Sequence, residues 1–233
     1  RIGVGSFSNL VILMTTALLE VNMARRKQSE LGDIATRDRI LNSAKKCFLE
    51  YGFQAAPLRK IAKDAGFTSG ALYGYFDSKE ALFYAITDPI AERLIKKLNA
   101  IKEEMDKIPD KARLRQMGSA YYHHIPEIVE ILLSDRDAVK LIVMGSRGTR
   151  YEAFVETIAS RNTANIGNAA KKSKENHIEG IKEETLAILM EEYIATLFRL
   201  VTSDRDKETV INCMEMIGRV YETGITNLMK KER

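Results

Sequence analysis

From Thr36 onward, apolar residues recur at three- and four-residue steps rather than in alternation. Ile40, Leu41, Ala44, Cys47, Phe48 and Tyr51 fall on one face of a helix, and Arg37, Arg39, Lys45, Lys46 and Glu50 mostly occupy the other. Gly52 ends this helix as a C′ glycine would. Pro57 then stands where a first-turn proline belongs, and Leu58, Ile61, Ala62 and Ala65 give a second helix its inner face up to Gly66. Thr68 is a good N-cap for a short third helix running through Leu72 and Tyr73 to about Phe76. Asp77 with Glu80 three residues later reads as a capping-box variant that opens a fourth. A second and third helix joined by a tight turn at Gly66 make a helix-turn-helix.

Everything after Ala81 also reads as helix, over roughly 79–105, 111–123, 127–144, 148–174, 182–203 and 206–231, with Pro89, Pro109 and Pro126 as punctuation. No run of strand length alternates and no Asn-Gly hairpin signal stands out, so the fold class is all-α. The natural division is a helix-turn-helix domain over 23–80 and a larger helical domain over 81–233. Residues 1–22 form a leader whose 13 uncharged residues from Phe7 to Leu19 fall short of a bilayer span. This leader is expected to be upstream sequence ahead of a start at Met23, or else an extra helix; membrane anchoring ranks last.

Charge sharpens the division. Residues 23–80 hold 11 Lys and Arg against 7 Asp and Glu, whereas 81–233 balance at 24 each. All the excess positive charge of this chain of 233 residues, net +4, therefore lies beside the helix-turn-helix, as a polyanion-binding module would have it. Two cysteines, Cys47 and Cys213, far apart in sequence, suggest neither a disulfide scaffold nor a zinc site, and a reducing, cytoplasmic location is the default expectation.

The stretch from Ile61 to Leu82, IAKDAGFTSGALYGYFDSKEAL, resembles the DNA-binding signature of the TetR family of bacterial transcriptional regulators. The resemblance rests on Ile61-Ala62, Ala65-Gly66, Thr68, Gly70, Leu72-Tyr73, Phe76 and Ser78-Lys79-Glu80, supported upstream by Ile40-Leu41, Ala44, Phe48 and Gly52-Phe53. Two departures stand out: Ala56-Pro57 replaces the family's hydroxyl pair at the start of the second helix, and Phe67 replaces the commoner valine in the turn. A weaker likeness, over Gly145 to Ile158, points to the regulatory domains of some members.

A helix-turn-helix lays its second helix in the major groove with the N-terminal residues against base edges. Those residues here are Ser69, Gly70 and Ala71, all small, with Thr68 before them and Tyr73 and Tyr75 at the groove wall. Ala71 can meet a thymine methyl and Ser69 either base type, but no Arg, Asn or Gln offers a bidentate purine contact, so DNA shape is expected to contribute. Phosphate contacts are expected from Lys79, a position the family uses on the backbone, from Arg59 and Lys60, from Arg37, and from a mobile arm Arg25-Arg26-Lys27. Packing of Tyr73 in the three-helix core is the competing reading.

The resemblance further implies a homodimer on a palindromic double-stranded operator, and a larger domain that binds a small-molecule effector and dimerises. The interface would use Tyr193, Leu197, Val201, Ile217, Tyr221, Gly224 and Leu228 on the last two helices, although their broad apolar stripes also suit internal core. Met105, Met117, Tyr121, His124, Met144, Phe154 and Met190 are candidate pocket residues. His123 and His124 point about 100° apart on a helix and make a poor metal pair, so no metal or cofactor is expected. No nucleophile elbow, Walker loop, HExxH or dinucleotide fingerprint is present, and an enzyme is not expected. The leading expectation is a ligand-responsive repressor; the alternative is a DNA-binding protein without a small-molecule effector, acting architecturally or through a protein partner.

Overall fold

The computed structural model describes residues 5–108, 123–161 and 183–230, all helices and connecting turns. The helices are α1 (Gly5–Ala55), α2 (Leu58–Asp64), α3 (Ser69–Tyr73), α4 (Lys79–Asp106), α5 (123–133), α6 (Arg136–Met144), α7 (154–161), α8 (Glu183–Thr202) and α9 (Lys207–Lys230). Among the described residues there is no strand, and the all-helical reading holds.

The first helix departs most from expectation. It does not begin at Thr36; its backbone is helical from Gly5, and Arg25, Arg26 and Lys27 are exposed on it rather than on an arm. The cause is local: strong helix formers fill this stretch, no proline interrupts it, and only Gly32 lies between Gly5 and Gly52. At Gly52 the backbone turns over to φ 72°, a left-handed conformation that favours glycine, and the helix breaks. Phe53 N–H then leaves the helical ladder and donates to the carbonyl of Gly145 at 2.8 Å.

Gly66 at φ 82° makes the turn between α2 and α3. As the missing hydroxyl implied, α2 has no side-chain cap; its N-cap is Pro57. The capping oxygen of α4 comes from Ser78, whose Oγ accepts from Ala81 N–H at 3.0 Å, rather than from Asp77. The expected helix over 127–144 is two helices. The Asp135 carboxylate accepts from Ala138 N–H at 3.0 Å and starts α6 anew, while Ser134 closes α5 on the Ile131 carbonyl at 2.7 Å. Helix α5 also runs through Pro126. The expected helix from 148 starts later, at 154, because Gly148 takes φ 83° in the turn before it. The expected span 111–123 lies almost wholly outside the described residues.

One continuous core joins the helices. Ile40, Ala44 and Phe48 of α1 meet Ile61 and Ala62 of α2, Leu72 of α3, and Leu82 and Phe83 of α4, all essentially buried. The core continues through Val129, Val139 and Leu141 to Phe198, Val201 and Met214. A chain of ring contacts runs the same way: Phe83 packs edge-on against Phe48 and Phe53 at 5.2 Å each. From Phe83 the contacts pass through Tyr84, Tyr151 and Phe154 to Phe198. Edge-to-face pairs of this kind add to the area they bury.

Candidate nucleic-acid interface

The short helix α3 presents its first residues outward. Thr68 caps it, Oγ1 accepting from Ala71 N–H at 3.2 Å, which leaves the hydroxyl proton free to donate. Leu72 is the buried anchor, 1% exposed, and it holds the helix on the core. Gly70 and Ala71 are exposed and Ser69 is half-buried. A Cβ built on Gly70 would meet only the Thr68 hydroxyl, at 3.9 Å, so nothing in the fold requires glycine there. Tyr73 is 50% exposed, which answers the packing alternative in favour of the surface.

The surrounding cations are placed unequally. Arg59 is exposed. Lys60 pairs with Asp64 at 2.8 Å, and that hydrogen bond raises its pKa. Arg37 is exposed and lies over the Phe76 ring at 5.2 Å; Arg39, absent from the expected set, lies over Phe67 at 4.6 Å. The turn phenylalanine that replaces valine thus serves as a platform for an arginine. Tyr75 donates its hydroxyl to Asp33 Oδ1 at 3.2 Å, which ties it to the N-terminal part of α1.

Lys79 is the most constrained of the set. Its Nζ donates to the Gln54 carbonyl at 3.0 Å and sits 5.2 Å from the Phe53 ring centre. Partial burial lowers its pKa. One of its three donors thus secures the broken end of α1, and two remain. The patch therefore offers close-fitting small residues, two phenols and several cations, a set suited to base edges and phosphates.

Residues 40–86 match the profile described as "Bacterial regulatory proteins, tetR family". This domain belongs to the TetR family. An HTH-type transcriptional repressor of Mycobacterium tuberculosis is 38% identical over 68 residues, covering 29% of this chain and 36% of that protein. The Escherichia coli K12 regulator UidR is 45% identical over 60 residues, 26% of this chain and 31% of that protein. The matches thus span about a third of those relatives' length. The fold likeness extends further: a TetR-like transcriptional regulator from Rhodococcus sp. RHA1 superposes with a TM-score of 0.51 at 15% identity, over 81% of this chain and 96% of that one.

Behind the TetR-type domain the other expected sites come out mixed. Met105 and Phe154 are buried in the core, Met190 is half-buried, and His124 faces Glu104, its Nε2 3.1 Å from the carboxylate. Met144 is 76% exposed at the end of α6, which stops at Gly145. Met117 and Tyr121 lie outside the described residues.

On the last helices Leu197 and Val201 are 7% and 0% exposed within a single chain, so they are spent on its own core. Tyr193 and Tyr221 pack ring against ring at 5.8 Å, and Ile217 is half-buried. Gly224 is exposed, with open space where a Cβ would stand. The side chain of Leu228 lies outside the described residues. Among the described side chains of α8 and α9, the large apolar ones left exposed are others: Ile188, Met216 and Val220, at 54%, 70% and 65%.

Sequence reading missed a polar cluster behind the domain. Tyr151 donates to Asp88 Oδ1 at 2.6 Å, Arg150 pairs with the same carboxylate, and Arg150 N–H donates to the Tyr84 hydroxyl at 3.2 Å. Burial first, then the Asp88 carboxylate, pushes the Tyr151 phenol up to about 12. The bonded partners lie more than 60 positions apart, so no local spacing announces them. Among the described residues no group of His, Cys, Asp and Glu could hold a metal ion, and no helix is long and apolar enough to cross a membrane.

Proposed function

We propose that the chain is a cytoplasmic, ligand-responsive transcriptional regulator, acting as a repressor. A homodimer binds a palindromic operator through its two α3 helices and releases it when a small molecule binds behind the helix-turn-helix domain. The observation that carries the reading is the outward run Ser69-Gly70-Ala71 with exposed Tyr73, on a domain of the TetR family. The similar proteins from Mycobacterium tuberculosis, a transcriptional repressor, and Escherichia coli, a transcriptional regulator, support it. Dimerisation is assigned to α8 and α9, where Met216 and Val220 sit one turn apart on an exposed face beside Gly224. The chain carries no catalytic role in this reading.

The test is selection of bound fragments from random duplex DNA at near-physiological salt. The expected result is an enriched palindrome with half-sites about one helical turn apart. Binding without an enriched motif would overturn sequence reading and leave a backbone-only binder.

A further inference from the structure

A cavity of about 480 Å³ lies between α1, α4 and the turn joining α5 to α6, in the size range of small-molecule sites. None of the expected pocket residues lines it; it sits where the helix-turn-helix meets the helices behind it. Its apolar lining includes Leu41 of α1 and Ile86, Pro89 and Ile90 of α4. Pro89 has no N–H to return to the carbonyl of Ala85, so this lining residue's acceptor loses its helical donor.

The charges at the rim divide into a closed pair and an open pair. Lys45 and Asp135 satisfy each other, with Nζ 3.1 and 2.8 Å from the two carboxylate oxygens. Arg93 donates to the Ser134 hydroxyl at 2.9 Å and, among the described residues, meets no carboxylate. Asp38 lines the same cavity and, among the described residues, has no cation. A guanidinium and a carboxylate without ion-pair partners among the described residues thus line one apolar groove. The complement is a molecule that carries both charges and an apolar body.

We propose that this groove is a binding site for a small zwitterion of the amino-acid class with an apolar side chain. Its carboxylate would lie on Arg93, its ammonium on Asp38 and the Ala85 carbonyl, and its side chain against Ile86 and Ile90. Fork-to-carboxylate pairing with arginine is the strongest of these contacts. The proposal deepens the ligand-responsive reading above, because a molecule wedged beside the Lys45–Asp135 link would bear on how α1 sits against α6.

The chain contains no Trp, so tryptophan can serve as its own fluorescent probe. The full chain is titrated with tryptophan, with N-acetyltryptophan, which lacks the ammonium, and with tryptamine, which lacks the carboxylate. Saturable binding of tryptophan is expected, with both analogues weaker by about tenfold or more. Arg93→Gln should erase the preference over tryptamine alone, and Asp38→Asn the preference over N-acetyltryptophan alone. Both side chains are exposed, so neither variant threatens the fold. Absence of saturable binding, or binding that both variants leave unchanged, would overturn the site. Operator release is measured separately. Binding with the expected pattern but no effect on DNA would keep the groove and discard the ligand-responsive reading.

Discussion

The outward face of α3 and the joint behind it are built from opposite materials. At the outward face the first side chains are small or absent, and a Cβ on Gly70 would meet only the Thr68 hydroxyl, at 3.9 Å. At the joint, Phe83 is fully buried and touches three aromatic rings, while Asp88 receives both Tyr151 and Arg150. Stability is concentrated where no DNA can reach, and the recognising surface contributes little to it. The difference teaches that stability and binding should separate cleanly by mutation.

The largest effect is expected at the joint. Phe83→Ala should cost about 3–5 kcal/mol in urea unfolding, the range for emptying a buried aromatic site. DNA binding should fall only as far as the folded population does. Gly70→Leu should do the reverse. With only an ordinary contact to the Thr68 hydroxyl at Cβ and no left-handed φ, the fold accepts the side chain, and the helix gains up to about 1 kcal/mol over glycine. Operator affinity should drop roughly tenfold to a hundredfold as the leucine holds α3 off the base edges. Unchanged affinity would move the reading surface away from Gly70.

The same contrast explains what could be read from sequence. The inner face of α1 was legible because Ile40, Ala44 and Phe48 repeat at helical spacing, and the ends at Gly52 and Gly66 because a left-handed residue there selects glycine. The outward position of Ser69 to Tyr73 followed from the helix-turn-helix geometry once Leu72 was placed inside. What escaped was every feature settled across the chain. Asp135 splits the expected helix over 127–144 because its carboxylate finds both Ala138 N–H and Lys45, 90 residues away. Leu197 and Val201 sit on stripes wide enough to serve a core or a partner, and only their burial in the single-chain core, beside the Phe198–Phe154 contact, assigns them there. Lys79 could be placed near phosphates, but its bond to Gln54 depends on where α1 breaks.

A smaller effect is expected from the polar half of the joint. Asp88→Asn removes the charge that holds Tyr151 and Arg150 and should cost about 1–3 kcal/mol. It also has a pH signature. The Tyr151 phenol is raised from 10.0 to about 12 in the folded chain, so its stabilisation is whole below pH 10 and is lost as pH rises toward about 12. Absorbance titration of phenolate should include a late component from Tyr151 in the parent protein, and Asp88→Asn should shift that component earlier. Burial, the larger cause, survives in the variant, so the shift should be partial. A late tyrosine indifferent to Asp88 would break the assignment.

Lys79 belongs to both regions and gives the finest test of their separation. Its bond to the Gln54 carbonyl secures the end of α1, while its two remaining donors stand at the edge of the proposed interface. Lys79→Ala should therefore register in both measurements at once, unlike the single-sided changes at Phe83 and Gly70. Stability should fall by about 1 kcal/mol for the lost hydrogen bond. The slope of log affinity against log salt should become shallower by about 1 for the lost phosphate contact, uniformly across DNA sequences. If stability falls and the slope holds, Lys79 is a tether of α1 only. Its partial desolvation, seen in the lowered pKa, is then the mark of a lysine spent inside the protein rather than on DNA.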